Sequence, residues 1–256
     1  MRRLLIIGIG AGDPEQVTMQ AIRALNRADV FFVIDKGAVK HDLKLLRQEI
    51  CERYVPGGSY RMVSVPDAER DRSAADYRHA VEQWRRERAG IYEQLIRDEL
   101  GDGECGAFLV WGDPSLYDST LAVIEQVAGL GTMELEYEVI PGISSVQSLA
   151  ARHRVSLTQI GKPVHVTTGR LLAEEGFPAG CDDVVVMLDA SCAFTTVTDA
   201  GAEIYWGAYV GSDDEILLSG KLADVAEQIQ AARAEARARK GWIMDTYLLR
   251  RPSGFR

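Results

Sequence analysis

The alternation of apolar runs and helical periods along the first half of the chain predicts strands that alternate with helices. Residues 4–7 form a continuous apolar run that stops at Gly8, which is typical of a strand buried on both faces of a parallel sheet. Apolar residues then recur at helical spacing after Thr18, a predicted N-cap, and residues 30–34 form a second apolar run. Strand, helix and strand in this order indicate a βαβ unit.

The same pattern continues with a helix predicted over residues 43–50 and a long amphipathic helix over residues 73–100. Further strands are predicted at residues 107–111 and 137–140, with a helix between them. Arg and acidic residues are mixed between Arg61 and Arg97, so we expect a solvated helix surface there rather than a site for polyanions.

Beyond Ser144 the predicted strands outnumber the helices. Five strands are predicted there, at residues 164–167, 184–188, 203–209, 216–218 and 243–249. The sequence therefore predicts an α/β fold in two domains. Residues 1–142 would form a mostly parallel sheet with helices on both faces, and residues 143–256 a mixed α+β sheet.

Composition narrows the function classes. The chain has 29 Lys and Arg against 38 Asp and Glu, a net charge of −9, which disfavours nucleic acid as a partner. Its four cysteines are far apart and lack C-x-x-C spacing, so neither a metal site nor a disulfide framework is expected. No apolar run has the length of a signal-peptide core or a spanning helix, so we expect a cytoplasmic protein with no membrane partner.

Three glycine-containing turns follow predicted strands. They are Gly-Ile-Gly-Ala-Gly-Asp-Pro at 8–14, Trp-Gly-Asp-Pro-Ser-Leu-Tyr at 111–117 and Pro-Gly-Ile-Ser-Ser at 141–145. The first is not a dinucleotide fingerprint, because G-x-G-x-x-G requires Gly where this chain has Asp13. Each turn alone is explained by a helix cap, but three at the carboxyl ends of one sheet would line a ligand-binding crevice.

The order of these motifs, together with Asp35, resembles that of the tetrapyrrole methylases, the S-adenosylmethionine-dependent enzymes of cobalamin and sirohaem synthesis. The resemblance covers nearly the whole chain. Within the family, the long insertion between Asp35 and Trp111 and the segments 111–120 and 209–215 resemble the members that methylate C1 of precorrin-5 and release acetate. Two positions depart from the family pattern: Ala11 stands where many relatives have Pro, and Trp111 where many have Gly.

The resemblance implies a cleft between the two domains that holds the methyl donor, S-adenosylmethionine, in a folded shape and releases S-adenosylhomocysteine. The implied donor contacts are Trp111, Gly112, Asp113, Leu116, Ser144, Ser145, Met187, Leu188, Ala208 and Tyr209. Asp35 would face the tetrapyrrole as a general base, with a strand-end cap as the alternative role. Tyr117, Ser115 and Asp118 are candidates for assisting acetate release. Methyl transfer from a sulfonium is an in-line displacement, so no metal is expected.

The resemblance further implies a small-molecule tetrapyrrole substrate, precorrin-5, and a homodimer. Lys36, Lys40 and Arg170, near predicted strand ends, are candidate partners for substrate carboxylates. One alternative is a family enzyme that methylates another position. Another is a non-catalytic protein that binds a tetrapyrrole or a nucleotide, which turnover would separate from an enzyme.

Overall fold

The computed structural model describes residues 1–35, 41–68, 77–199 and 201–251. The chain divides into two units, Met1–Ile143 and Ser144–Arg256, and each contains a five-stranded sheet. The first sheet is parallel and the second is mixed, so the predicted α/β class with its two kinds of sheet is confirmed. The boundary after residue 142 stays a prediction about domains.

The first sheet has the strand order β3-β2-β4-β1-β5, and every pair in it is parallel. Its strands are β1 (Arg2–Gly8), β2 (Val30–Asp35), β3 (Arg61–Pro66), β4 (Cys105–Val110) and β5 (Leu135–Ile140). All of β4 is buried, which explains why its sequence is a continuous apolar run. Because the strands are parallel, their carboxyl ends lie at one edge of the sheet.

Helices cover both faces of this sheet. They are α1 (Met19–Leu25), α2 (His41–Tyr54), α3 (Tyr77–Glu99) and α4 (Thr120–Gly129). Leu5 and Ile7 of β1 pack with α1 and α2, whereas Leu4 and Ile6 pack with α3 and α4. Successive residues of the strand thus serve opposite cores, as the two-residue period of a strand requires.

The first unit contains one strand that the sequence-based prediction lacks. The pattern does not predict β3, because this edge strand has no buried residue and therefore no apolar run. The long helix α3 is described from Tyr77 to Glu99, within the predicted range of residues 73–100, and the predicted start at residues 73–76 lies outside the described residues.

The second sheet has the order β6-β7-β10-β8-β9, in which only β6 and β7 are parallel. Its strands are β6 (Val164–Thr168), β7 (Asp183–Met187), β8 (Glu203–Ala208), β9 (Ile216–Lys221) and β10 (Asp245–Arg250). The helices of this unit are α5 (Ser145–His153), α6 (Gly169–Glu175) and α7 (Leu222–Lys240). All five strands predicted beyond Ser144 are thereby confirmed.

In the part of the chain that the structure describes, no helix combines the length and apolar character needed to cross a membrane. The same residues contain no group of three or more His, Cys, Asp or Glu side chains that could hold a metal ion. The four cysteines are free thiols.

Candidate active site

Three glycines meet where β1, β4 and β5 end at the carboxyl edge of the first sheet. A Cβ atom at Gly8 would lie 2.6 Å from the amide nitrogen of Gly142 and 2.8 Å from the carbonyl oxygen of Gly112. A Cβ atom at Gly142 would overlap that same oxygen. The structure therefore brings the three turns together as a contact between main chains, which we call the glycine corner (Gly8, Gly112 and Gly142). Open α/β sheets bind ligands at this edge.

The turn after β4 is also hydrogen-bonded to the turn after β1. The amide of Gly112 donates to the carbonyl oxygen of Gly10 at 2.7 Å, and the two residues form an isolated antiparallel bridge. Their φ angles are +71° and +86°, in the region that favours glycine. Main-chain geometry alone therefore fixes these two turns against each other.

Asp113 joins the second turn to the third. Its Oδ2 accepts a hydrogen bond from the amide of Gly142 at 2.8 Å, and its Oδ1 accepts from the amide of Ser115 at 2.8 Å and from the Ser115 hydroxyl. Burial acts most strongly on this carboxyl and raises its pKa, but the three hydrogen bonds together outweigh burial, so the pKa lies below its ordinary value. The carboxylate is thus held ionised within the site.

The side chains of the first turn act as helix caps. Asp13 accepts a hydrogen bond from the amide of Glu15 at 2.8 Å and begins a short 3₁₀ helix. Thr18 accepts from the amide of Ala21 at 3.0 Å and caps α1. The capping role predicted for these two residues is therefore confirmed, and the ligand-binding interpretation of this turn depends on its glycines.

The remaining predicted residues of the second turn differ in exposure. Trp111 is partly buried and packs against the core on the α1 and α2 face of the sheet. Leu116 is partly buried, whereas Tyr117 is 45% exposed and has a φ of +51°. Partial burial raises the pKa of the Tyr117 hydroxyl. The Tyr117 hydroxyl is therefore protonated at neutral pH.

Asp35 lies at the same edge, at the end of β2, which is the neighbour of β4. Its side chain is exposed, and its carbonyl oxygen accepts a hydrogen bond from the amide of Asp67 at 2.9 Å. The next residues, including Lys36 and Lys40, lie outside the described residues. Arg170, the third cation named from the sequence, lies in α6 of the second unit and pairs with Glu174 at 2.7 Å.

In the second unit, Ser144 caps α5. Its hydroxyl accepts from the amide of Val146 at 3.2 Å, and its own amide donates to Gln147 Oε1 at 3.1 Å, which completes a capping box. Ser145 is the first residue of the helix and is partly exposed. The Ser144 hydroxyl is therefore engaged in the cap, as the alternative interpretation from the sequence expects.

The ends of β7 and β8 lie at one edge of the second sheet. Met187 and Gly207 both pair with Thr246 of β10, so the two strands run in the same direction on either side of it. Leu149 of α5 packs against Gly207, and His153 Nε2 lies 3.0 Å from the carbonyl oxygen of Trp206. The helix therefore directs its N-terminus, with Ser144 and Ser145, toward that same edge.

The four predicted residues at these strand ends present different groups. Leu188 is 62% exposed with a φ of +53°, and Met187 is partly buried. Ala208 and Tyr209 are buried, and the Tyr209 hydroxyl donates to the carbonyl oxygen of Trp242 at 2.5 Å. Any ligand contact from Ala208 and Tyr209 would therefore come from main-chain atoms.

A buried polar network supports the turn after β7. Asp189 accepts hydrogen bonds from the amide of Ala193 at 2.6 Å and from the hydroxyl of Tyr247 at 2.7 Å. Arg233 donates to the Asp189 carbonyl at 2.5 Å and pairs with Asp245 at 2.9 Å. Burial raises the pKa of Asp245 despite the opposing effect of Arg233. The network fixes the backbone directly after Leu188.

Sequence reasoning missed Arg88, which is buried at the carboxyl edge of the first sheet. Its guanidinium pairs with Asp67 at 2.8 Å and donates to the Ser119 hydroxyl at 2.5 Å. The prediction of a solvated surface is therefore wrong at this residue. The available signal was its position four residues from both Trp84 and Tyr92, whose rings its guanidinium contacts.

Comparison with known proteins agrees with these observations. The family model of the tetrapyrrole (corrin/porphyrin) methylases matches residues 3–226. Precorrin-6A synthase (deacetylating) from Sinorhizobium sp is 51% identical over 255 residues, which cover 100% of this chain and 97% of that protein.

Two solved structures extend the comparison. A protein described as related to cobalamin synthesis (CobF), from Corynebacterium diphtheriae, aligns with a TM-score of 0.84 at 38% identity, over 99% of this chain and 100% of that chain. Uroporphyrin-III C-methyltransferase from Thermus thermophilus, complexed with S-adenosyl homocysteine, has the same fold, with a TM-score of 0.58 at 18% identity over 96% of each chain. The resemblance inferred from the sequence is confirmed, and this chain belongs to the tetrapyrrole (corrin/porphyrin) methylase family.

Proposed function

We propose that this protein is an S-adenosylmethionine-dependent methyltransferase of cobalamin biosynthesis that methylates C1 of precorrin-5 and releases acetate, giving precorrin-6A. The observation that carries this proposal is the 51% identity to precorrin-6A synthase (deacetylating) over the whole chain. The glycine corner adds a structural reason, because it brings three turns together at the carboxyl edge of a parallel sheet, where open α/β sheets bind ligands.

The methyl donor would bind at the glycine corner. Its contacts in the first unit would be the main chain of Trp111 and Gly112 together with Leu116, while Asp113 holds the turns in place through Gly142 and Ser115. The second unit would contribute Ser144, Ser145, Met187, Leu188, Ala208 and Tyr209. A bound S-adenosyl homocysteine in the Thermus thermophilus relative supports a donor of this type.

When bound, the sulfonium donor supplies a methyl group that passes to the ring carbon while the sulfur keeps the electron pair of the broken bond. The protein has to hold the two reactants in line and exclude water from the sulfonium. Asp35, at the end of β2, would orient the macrocycle or accept a proton from a pyrrole nitrogen. Transfer requires no residue to form a covalent intermediate.

Acetate release is the second demand on the site. Water adds to the acetyl carbonyl, the bond between the acetyl group and the macrocycle breaks, and its electron pair stays on the macrocycle. The protonated hydroxyl of Tyr117 would donate a hydrogen bond to the carbonyl oxygen as it gains negative charge. Ser115 and Asp118 stay alternative candidates.

The test is turnover with a precorrin-5-generating enzyme mixture and labelled S-adenosylmethionine, in which methyl incorporation and acetate are both measured. We expect one acetate for each methyl group transferred. Methyl transfer without acetate would instead identify a family member that acts at another position, and binding of both ligands without transfer would identify a carrier protein.

Two further properties complete the proposal. We expect a cytoplasmic enzyme, in keeping with its place in a biosynthetic family, and a homodimer. Light scattering coupled to size-exclusion chromatography measures the assembly state directly. A mass corresponding to one 28.2 kDa chain would contradict the dimer.

A further inference from the structure

A gap opens between two neighbouring strands of the first sheet. β2 and β4 pair only as far as Phe32 and Phe108, although β2 continues to Asp35 and β4 to Val110. The helices that follow these strands, α2 and α4, cover opposite faces of the sheet. A point at which neighbouring strands connect to opposite faces is a switch point, where open α/β sheets bind ligands. We call this opening the β2–β4 gap.

The side chain of Arg47, from α2, enters this gap. Its Nε donates to the carbonyl oxygen of Leu109 at 2.9 Å, and its Nη1 donates to the carbonyl oxygen of Leu43 at 2.6 Å. The carbonyl of Val110 accepts from Ile9 of β1, so the carbonyl of Leu109 points the other way, toward β2. The guanidinium therefore lies where β2 would have continued its pairing with β4.

Within the described residues, no counter-ion accompanies the cation of Arg47. Among the described residues, Arg47 has no carboxylate within the 4.0 Å of an ion pair, and Asp118 acts on it only at longer range. Burial is the strongest influence on the guanidinium and lowers its pKa. Two neutral carbonyls use only part of its five N–H donors. A desolvated cation in this state favours the binding of an anion beside it.

Trp111 provides a second and independent observation. It lies two residues beyond Leu109 and packs in the core on the face of the sheet that carries α2. Its indole N–H is buried and has no hydrogen-bond partner among the residues that the structure describes. Buried donors in proteins are almost always paired, so this one indicates an acceptor that the described residues do not supply.

We propose that the guanidinium of Arg47 and the indole N–H of Trp111 bind a side-chain carboxylate of the tetrapyrrole at the β2–β4 gap. This inference rests on the proposed function for the identity of the ligand. Guanidinium groups bind carboxylates through paired hydrogen bonds, and precorrins carry carboxylate side chains. The gap lies between Asp35 and the glycine corner, so a carboxylate anchored there places the macrocycle against both. It would also provide a local cation for an acidic substrate in a chain of net charge −9.

The test uses Arg47→Gln and Trp111→Phe, with Arg53→Gln as the matched control. Arg53 lies on the same helix but is 45% exposed and pairs with Glu15. We expect Arg47→Gln to raise the KM for precorrin-5 at least about tenfold and Trp111→Phe to raise it about three- to tenfold. The Kd for S-adenosylhomocysteine should stay within about twofold in both variants, since Trp111→Phe keeps the main chain. Arg53→Gln should change neither constant.

Because Arg47 also ties α2 to β4, Arg47→Gln can lose its fold, which circular dichroism and thermal melting reveal. In that event Trp111→Phe decides: the Trp111 N–H has no hydrogen-bond partner among the described residues, so the variant loses some ring packing but no hydrogen bond there and should still fold. A folded Arg47→Gln with unaltered KM, or an unaltered KM in Trp111→Phe when Arg47→Gln does not fold, overturns the carboxylate site.

A binding assay separates this inference from the proposed function. Uroporphyrin, a stable tetrapyrrole whose peripheral side chains all end in carboxylates, is titrated into wild type and variants while its fluorescence is followed. If wild type does not turn over precorrin-5 but binds uroporphyrin in an Arg47-dependent manner, the proposed function fails and the carboxylate site stands. Uroporphyrin binding that is equal in wild type and both variants overturns the site even if turnover is observed.

Discussion

The amide of Gly142 donates a hydrogen bond to the carboxylate of Asp113 at 2.8 Å, and this contact joins the turn after β5 to the turn after β4. The other carboxylate oxygen is occupied by Ser115. The residue that the sequence marks as a direct donor ligand is thus already engaged in shaping the glycine corner. Its effect on the donor would be exerted through the main chain that it positions.

Asp113→Ala should weaken binding of S-adenosylhomocysteine at least about tenfold, because both turns lose their shared acceptor. It should also lower the free energy of unfolding by about 1–3 kcal/mol, since the amide of Gly142 is left unpaired. Isothermal titration calorimetry and chemical denaturation measure the two effects. Asp102→Ala is the control, because Asp102 is 79% exposed at the opposite edge of the sheet, beside the N-terminus. Equal affinity in Asp113→Ala and wild type would remove Asp113 from the site.

The same carboxylate predicts a pH dependence of stability. Its pKa in the folded protein lies below the ordinary value of 3.8, so folding is favoured by the ionised form. The contribution is present above that ordinary value and is lost as the pH falls through the lowered pKa. The difference in unfolding free energy between wild type and Asp113→Ala should therefore shrink on going from about pH 6 to about pH 3. A difference that grows over this range would contradict the direction of the shift.

Gly142→Ala should destabilise the protein by about 1–3 kcal/mol, because the new methyl group would overlap the Gly112 carbonyl and the main chain of Gly8. Donor binding should be lost with the corner. Gly90→Ala is the matched control: it lies in α3 with nothing within 4 Å of a Cβ atom, and the helix should gain about 0.5–1 kcal/mol. The melting temperatures of the two variants should therefore shift in opposite directions from that of wild type.

Arg88→Met should cost about 3–5 kcal/mol, since it leaves the carboxylate of Asp67 partly buried without its counter-ion. Ser119, at the start of α4, loses its donor in the same variant. Arg86→Met on the same helix removes only an exposed pair with Glu82 and should stay within about 0.5 kcal/mol of wild type. Equal free energies of unfolding for wild type and Arg88→Met, measured in urea, would show that the buried pair contributes nothing.

Asp35→Asn and Tyr117→Phe test the two proposed catalytic roles. Each should lower kcat by about 10²- to 10⁴-fold while the Kd for S-adenosylhomocysteine is retained. The products distinguish the two variants. Asp35→Asn should slow methyl transfer and acetate release together, whereas Tyr117→Phe should slow acetate release more than methyl transfer. Single-turnover measurements with labelled donor give the rate of methyl transfer, and assay of the acetate formed in the same samples gives the rate of its release. A kcat near the wild-type value would exclude the substituted residue from the chemistry.

Much of the fold follows from the sequence because the buried parallel strands carry their own signal. Residues 4–7 and 105–110 are apolar throughout since both faces of the sheet are covered. β3 lacks that signal because it is a half-exposed edge strand. The glycines after β1, β4 and β5 predict turns, and the parallel pairing of these strands predicts that the turns share one edge of the sheet.

The side chains around the candidate site were harder to predict, because their roles depend on contacts between residues far apart in sequence. Asp113 meets Gly142 across 29 positions, and Arg88 meets Ser119 across 31. Arg47 lies on a helix of ordinary amphipathic sequence, and only the separation of β2 from β4 gives it a place at the edge. Local spacing carries none of this information.

The glycine corner consists of backbone from three strands, with no side chain at its centre. Amino-acid replacement can hardly change the shape of this junction, because a side chain at Gly8 or Gly142 would overlap neighbouring backbone atoms. Chemical diversity among enzymes with this architecture must therefore arise at its periphery, where side chains line the route to the macrocycle. As the proposed donor site, the same junction would serve many different acceptors.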